Sequence, residues 1–332
     1  MTTVGIIANP AAGKDIRRMV AQGRFIPNHE KVNTLRRVLA GLAATGVQRV
    51  VMMPDQAMLC RAAIEGASPE LETYILDMVF FNEEEDSTKA AKLMAEMGVG
   101  ALVTLGGDGT NRAVAKGSGS VPLVPISTGT NNVFPVLVEG TVAGLAAGVV
   151  ARGLVDVKSV TSVGKLWEVH VPGAPLDIAL VDVAVSKERF VGARAIWDLD
   201  TLAELFVARS LPTGIGLSAI GFRVLPSMGD DEGVYMRFGG GGTSVNAPVA
   251  PGVMKHVPIE HWRPLKVGEP VKVDRGNCTL ALDGERSISL SAKGTAEVVL
   301  SDKGPPVVSV EAAIRQASLS GVFTGGALPP DR

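Results

Sequence analysis

Two glycine-rich loops constrain this chain more than any other feature. The first, Gly106-Gly107-Asp108-Gly109-Thr110, is entered from the apolar run ALVTL and followed by a helical NRAVAKG; the second, Ser127-Thr128-Gly129-Thr130-Asn131-Asn132, is entered from VPLVPIS. Positions 106 and 129 are 23 residues apart, room for one short crossover helix between adjacent parallel strands. Both loops therefore open on the same edge of one sheet, where α/β proteins bind their ligands.

The rest of the first part alternates short apolar runs with amphipathic segments, as a parallel sheet covered by helices requires. Strands are predicted near residues 4–8, 49–53, 73–77, 101–105 and 121–126. A helix over 32–45 has Leu35, Val38, Leu39 and Leu42 at the spacing of one buried stripe. A second, over 83–97, has acids in its first turn and Lys92 further on, which suits the helix dipole. From about residue 155 the texture becomes strand-rich: residues 176–185 (LDIALVDVAV) form one β-type run, and residues 271–300 alternate polar and apolar residues with glycine punctuation. This half reads as mostly antiparallel. Between them, residues 226–252 hold several prolines and the four glycines Gly239 to Gly242, read as a flexible hairpin tip. Residues 307–322 look like a strand and a short helix that return to the first part. No repeat of fixed period is present.

At 332 residues the chain has the length of roughly two domains. Hydrophobic residues are 46% and aromatics only 4%, so the core is built from Val, Ala, Leu, Ile and Gly. A net charge of −2 without blocks of like charge excludes the electrostatic footprint of a nucleic-acid binder. Two widely separated cysteines, Cys60 and Cys278, are too few for a disulfide framework and point to a reducing compartment. The opening MTTVGIIANPAAGK reads as a first strand, not a signal, and the apolar stretch 140–151 is far below the roughly 20 residues needed to span a bilayer. A cytoplasmic protein is expected.

The chemistry follows from the loops. A backbone stripped of side chains at a strand-to-helix turn brings several N–H groups to a phosphate, and the following helix adds its positive end. A carboxylate there, Asp108, either holds Mg²⁺ or accepts the proton of the hydroxyl that attacks the γ-phosphoryl group; the bland alternative is a tight turn in which Asp108 caps a helix beginning near Thr110. In the second loop, Thr and Asn side chains can donate to phosphate or ribose oxygens, or simply build a turn. A third loop, residues 9–15 (NPAAGKD), resembles a phosphate loop without being GxxxxGK[ST], and no GxGxxG is present, so a plain P-loop NTPase and a GxGxxG-type dehydrogenase are both disfavoured. Its Lys14 and Arg17 would neutralise phosphate charge or merely be solvated. In the second half, Asp283-Gly284-Glu285 lies between two β-type runs and reads as a hairpin turn. The four histidines do not form a zinc set, and neither a GxSxG nor the setting of Cys60 supports a hydrolase.

Taken together, GGDGT, the N-terminal NPxxG loop and PxxTGTxN resemble the superfamily that unites NAD kinases with diacylglycerol and sphingosine kinases. Within it, NPAAGKDIRR, NHEKVNTLRRVLAGL, GGDGTNRAVAKG, TGTNNVFP and VGARAIWD are most similar to the acetoin-catabolism protein X branch of ATP-NAD kinase-like proteins. The resemblance implies an α/β fold with a Rossmann-like N-terminal domain over 1–138, joined by a returning 306–332, and a β-sandwich-like second domain over 139–305. It implies ATP and Mg²⁺ in an interdomain cleft and phosphoryl transfer to a small-molecule acceptor. Carried over by residue, Gly106, Gly107, Gly109 and Thr110 would cradle the phosphates, with Asp108 as base or metal-linked carboxylate. Asn9, Thr128, Gly129, Thr130 and Asn131 would complete the nucleotide site. The resemblance also raises the acidic DGE turn, with Asp283 as metal ligand and Glu285 as a catalytic group.

The sequence departs from the better-known branches. Asn111-Arg112 stands where diacylglycerol-type kinases carry Asn-Glu after GGDGT, so a cation replaces an acid; it would bind an anionic group on the acceptor or cover the helix surface. The NAD-kinase Asn-Glu and Thr-Pro-Thr-Gly-Ser-type segments are missing, and nothing marks a lipid groove. The alternatives to a soluble small-molecule kinase are a non-catalytic nucleotide-binding accessory protein of acetoin catabolism and a lipid kinase. Superfamily members often self-associate, and an edge strand or the glycine-rich loops offer contacts for a homo-oligomer.

Overall fold

A computed structural model of the chain describes residues 1–13, 21–23, 25–129, 131–188, 199–284 and 286–324. The expectations placed on Lys14, Arg17, Thr130, Glu285, the VGARAIWD segment and residues 325–332 lie outside them.

The first sheet contains β1 (Thr3–Ala8), β2 (Arg49–Met52), β3 (Glu72–Ile75), β4 (Ala101–Gly106), β5 (Leu123–Ser127), β6 (Thr161–Val163) and β17 (Pro306–Val308), in the order β3-β2-β1-β4-β5-β17-β6. Strands β3 through β17 run parallel, and β6 closes the edge antiparallel. The five predicted strands are present with ends shifted by one to two residues. Their side chains alternate between two cores, as a pleated strand requires. Val4, Ile6 and Ala8 face one side, with α1 (Asn28–Ala44), α5 (Gly140–Ala151) and α8 (Val310–Leu319); Ile7, Val51 and Leu102 face the other, with α3 (Glu84–Glu96) and α4 (Asp108–Ser118). Short helices α2 (Leu59–Ile64) and α6 (Val157–Val160) connect this layer. The chain's last strand and helix return here: Val307 pairs with Leu123, and Ala313 and Ala317 enter the first core.

The second part is two antiparallel sheets. One has the order β12-β11-β10-β9-β14-β15, from β9 (Asp182–Ser186), β10 (Leu202–Val207), β11 (Glu232–Ala250), β12 (Val253–Lys266), β14 (Cys278–Leu282) and β15 (Arg286–Leu290). The other, β13-β16-β7-β8, is made of β7 (Leu166–His170), β8 (Asp177–Ala179), β13 (Pro270–Val273) and β16 (Ala296–Ser301). Trp167 and Val298 of the smaller sheet meet Phe206 and Leu280 of the larger in a shared core, with Trp167 edge-on to Phe206 at 5.6 Å. Helix α7 (Leu217–Val224) covers the larger sheet's other face.

Two sequence expectations are corrected. The run 176–185 is not one strand: it breaks at Leu180–Val181, sending β8 into the smaller sheet and β9 into the larger. Gly239 to Gly242 are not a hairpin tip. They loop out of the middle of β11, so that Phe238 and Thr243 both pair with Ile259, and the chain reverses instead at Pro251–Gly252. A bulge rich in glycine allows this because Gly241 has φ +99°.

Candidate active site

The strand order reverses between β1 and β4, and at such a switch point the connections leave in opposite directions and open a crevice at the strands' carboxyl ends. The three predicted loops meet there. Asn9, just after β1, donates Nδ2–H to Thr110 Oγ1 at 2.9 Å, and its Oδ1 accepts from the amide of Ala11 at 2.8 Å. Gly13, with φ +73°, lies so close to the second glycine loop that a Cβ there would stand 2.6 Å from the Thr128 carbonyl oxygen. Thr128 N–H in turn donates to the Gly106 carbonyl at 3.2 Å. Gly106 is glycine for an internal reason: a Cβ would come within 2.5 Å of the Thr110 side chain.

Asp108 does not cap its own helix. Helix α4 begins at Asp108, and its N-cap is Gly107, without a side-chain cap. The Asp108 carboxylate reaches across to the backbone beyond the second loop. Oδ1 accepts from Phe134 N–H at 2.8 Å and Val133 N–H at 3.1 Å, and Oδ2 from Val133 N–H at 3.2 Å. Helix α4 thus begins without a side-chain cap from its N-cap residue, a condition under which a helix end attracts an anion. Beside this helix start, the Thr128 hydroxyl is buried without a hydrogen-bond partner among the described residues, which a native structure avoids unless something else satisfies it. Gly107, Gly109, Gly129 and Asn131 belong to the same loops; Asn111 serves them structurally, accepting from Thr104 Oγ1 at 2.6 Å and donating to the Gly107 carbonyl at 2.8 Å.

A cavity of about 500 Å³ adjoins this edge, with Asn9, Gly109, Thr110, Asp55, Glu84 and Asp86 in its wall. Two of its acids are engaged with backbone: Asp55 accepts from the amides of Leu59 and Cys60, and Asp86 from those of Phe81 and Glu83. Among the described residues no three His, Cys, Asp or Glu side chains are grouped to hold a metal ion. The uncapped helix start and the Thr128 hydroxyl, unpartnered among the described residues, fit a phosphate-bearing group; a Mg²⁺ bound with such a group would need only one or two carboxylates from the protein.

Asp283 comes to this edge from the second part. It sits in the β14–β15 turn with φ +52°, a conformation Asp tolerates. Its carboxylate accepts from Leu180 N–H at 3.0 Å, Val181 N–H at 2.8 Å and Asp182 N–H at 3.3 Å. These are the amides stranded where the chain crosses between sheets. Burial pushes the carboxyl up to about 6, against the opposing pull of Arg112 and the three amides. With no exposed side-chain surface and both oxygens on amides, Asp283 has the surroundings of a structural acceptor and not those expected of a metal ligand.

Arg112 neither faces an acceptor nor covers a helix surface, the two readings its position allowed. It is completely buried and ties the two parts of the molecule together: Nη2 to Glu84 Oε2 at 2.6 Å, Nη1 to Asp177 Oδ1 at 3.1 Å, and Nε 3.9 Å from Asp283 Oδ2. Lys116 adds a contact of 2.5 Å to Asp177. Burial raises the Asp177 carboxyl, but the Lys116 hydrogen bond and the Arg112 and Lys116 charges outweigh it and hold it below its ordinary value.

Sequence reasoning missed two cations. Lys31 is fully buried on α1, and its ammonium donates to the carbonyls of Asn9, Pro10 and Ala12 at 3.3, 2.8 and 2.8 Å, shaping the first loop. Its signal was present, since residue 31 extends the apolar stripe of Leu35, Val38 and Leu42, and a charge on a buried face needs partners. Arg209, just beyond β10, carried no such signal. Its guanidinium lies 5.1 Å from the Phe134 ring centroid; burial lowers its pKa against the opposing charges of Asp108 and Asp283.

Comparison with known proteins agrees with this architecture. Residues 4–154 match the ATP-NAD kinase N-terminal domain, and residues 165–303 match the acetoin catabolism protein X C-terminal domain. Acetoin catabolism protein X of Cupriavidus necator is 39% identical over 329 residues, covering 95% of this chain and 92% of that protein. A crystal structure of yeast NADH kinase complexed with NADH aligns over 100% of this chain and 90% of its own, at 14% identity and a TM-score of 0.49, too loose a likeness for comparing sites.

Proposed function

The chain belongs to the acetoin catabolism protein X family, and we propose that it is a kinase that moves the γ-phosphoryl group of ATP to a hydroxyl of a small-molecule acceptor in acetoin catabolism. The observation that carries this reading is the convergence of three loops at the β1/β4 switch point, with a helix start that its N-cap residue leaves uncapped and a Thr128 hydroxyl that is unpartnered among the described residues. In this reading the acceptor oxygen attacks the γ-phosphorus, its proton passes to Asp108, and the bond to the ADP oxygen breaks. Little covalent chemistry is asked of the protein beyond positioning and charge stabilisation. Gly106, Gly107, Gly109, Thr110, Asn9, Thr128, Gly129, Thr130 and Asn131 hold the nucleotide; Mg²⁺ enters as its counter-ion, and Glu285 stands as the second acid of the DGE turn. No helix among the described residues is long and apolar enough to cross a membrane. The two cysteines are free and buried, which supports a reducing, cytoplasmic setting.

One observation favours a second reading. The carboxylates of Asp108 and Asp283 already accept backbone amides, which would suit a nucleotide-binding accessory protein without catalysis. Phosphorus NMR of Mg·ATP with a panel of hydroxylated acceptors separates the two. The kinase reading expects a phosphorylated product whose rate falls by about 10² to 10⁴ in Asp108→Asn. Saturable nucleotide binding with no product from any acceptor supports the accessory role, and transfer at an unchanged rate by Asp108→Asn removes Asp108 from the chemistry.

A further inference from the structure

A second cavity of about 500 Å³ lies in the strand-rich part, between the larger sheet and α7. Its walls are apolar where Leu202, Leu217, Phe238 and Val257 meet, and two cations, Lys187 and Lys255, stand in its lining. Neither lysine has an ion-pair partner among the described residues; Lys187 Nζ donates to the backbone carbonyl of Asp200, at 3.1 Å, and Asp200 is the one acid among the described lining residues. Apolar walls with a few convergent polar groups are the signature of a small-molecule pocket. Lysines at the edge of such a wall are suited to a carboxylate or a phosphate.

The cavity borders the acidic turn of the second part. Gly284, the residue after Asp283, is in its lining. Asp283 stands 3.9 Å from Arg112 of α4. Ala21, from the segment after the first phosphate-type loop, also lines it, and the neighbouring Gln22 N–H donates to the Pro251 carbonyl at 3.1 Å. The cavity is therefore bounded by both parts of the molecule and abuts the acidic turn.

We infer that this cavity is the acceptor pocket, and that the acceptor is a small hydroxylated anion, a hydroxycarboxylate or a phosphate monoester, whose anionic group pairs with Lys187 and Lys255. The inference rests on the kinase reading for the word acceptor, but the binding itself does not require nucleotide. Its test is calorimetric and NMR titration of the full chain, without nucleotide, using 3-hydroxybutyrate and glycerol 3-phosphate as the two anionic probes and 1,3-butanediol as the uncharged control.

The expected result is one-site binding of at least one anion. The diol, and the Lys187→Gln/Lys255→Gln variant, should each bind about tenfold more weakly or worse, the size of a lost charge-assisted contact. Leu217→Trp, which fills the cavity, should abolish binding. The preferred probe tells a carboxylate from a phosphate acceptor. Absence of binding by both anions, equal binding of the diol, or unchanged binding in the lysine variant overturns the proposal. Titrating Mg·ATP into the same samples, checked for folding by circular dichroism, keeps the two claims apart. Anion binding without nucleotide binding removes the kinase and leaves the pocket; the reverse removes the pocket alone.

Discussion

Arg112 shows how one residue can matter more to the assembly of a site than to its chemistry. Its guanidinium is completely buried among Glu84, Asp177 and Asp283. A buried pair contributes little over an apolar replacement, yet removing one partner strands the others. Arg112→Met should therefore cost about 3–5 kcal/mol in denaturant unfolding, and an unchanged midpoint would contradict the role given to it. Asp283 makes a pH prediction. Its folded pKa of about 6 lies above the ordinary 3.8, so between those values the folded state binds more protons than the unfolded one. Stability from this group is greatest below about pH 4, falls as pH rises to about 6, and is level above. The advantage of wild type over Asp283→Asn should shrink across that window by up to about 3 kcal/mol; an advantage growing with pH would reverse the sign. Of these residues only the identities were legible beforehand. Arg112 was visible as a departure after GGDGT, but Glu84 and Asp177 are 28 and 65 residues away in sequence, and no local spacing predicts such partners.

At the scale of elements, α1 and α5 pack against each other through glycine. A Cβ at Gly144 would stand 2.2 Å from the Val38 carbonyl, and one at Gly41 2.3 Å from the Thr141 carbonyl. Backbone cannot move aside as a flexible side-chain tip can. Gly144→Val should lower stability by about 1–3 kcal/mol or prevent folding, measured by thermal unfolding; a variant as stable as wild type would refute the close crossing. Helix and strand periodicity located α1, α3 and the strands of the first sheet, because each has one regular face to bury. It failed at residues 176–185. There the run is apolar except for Asp177 and Asp182, as one strand would allow, and what splits it is the crossing between sheets, where the amides of Leu180 and Val181 leave their ladders for Asp283. It failed again at Gly239 to Gly242, since four glycines describe a turn and a mid-strand bulge equally well.

For the whole molecule, the decisive feature is the strand order β3-β2-β1-β4-β5, which brings Asn9, the GGDGT loop and the TGTN loop to one crevice. That convergence was legible from two apolar runs ending in glycine 23 residues apart (106 and 129). The joining of Asp283 to the same edge was not, because a DG turn has the same sequence wherever the second part docks. The central claim is that the crevice is a nucleotide site, and Thr128 tests it most directly. Its buried hydroxyl has no hydrogen-bond partner among the described residues, so Thr128→Val should leave the nucleotide-free protein as stable as wild type or more so. Calorimetric titration of Mg·ATP should show one site per chain in wild type and binding weakened about tenfold or more in Thr128→Val, the loss of a hydrogen bond to a charged group. No binding to folded wild type, or equal affinity in the two proteins, would contradict the account.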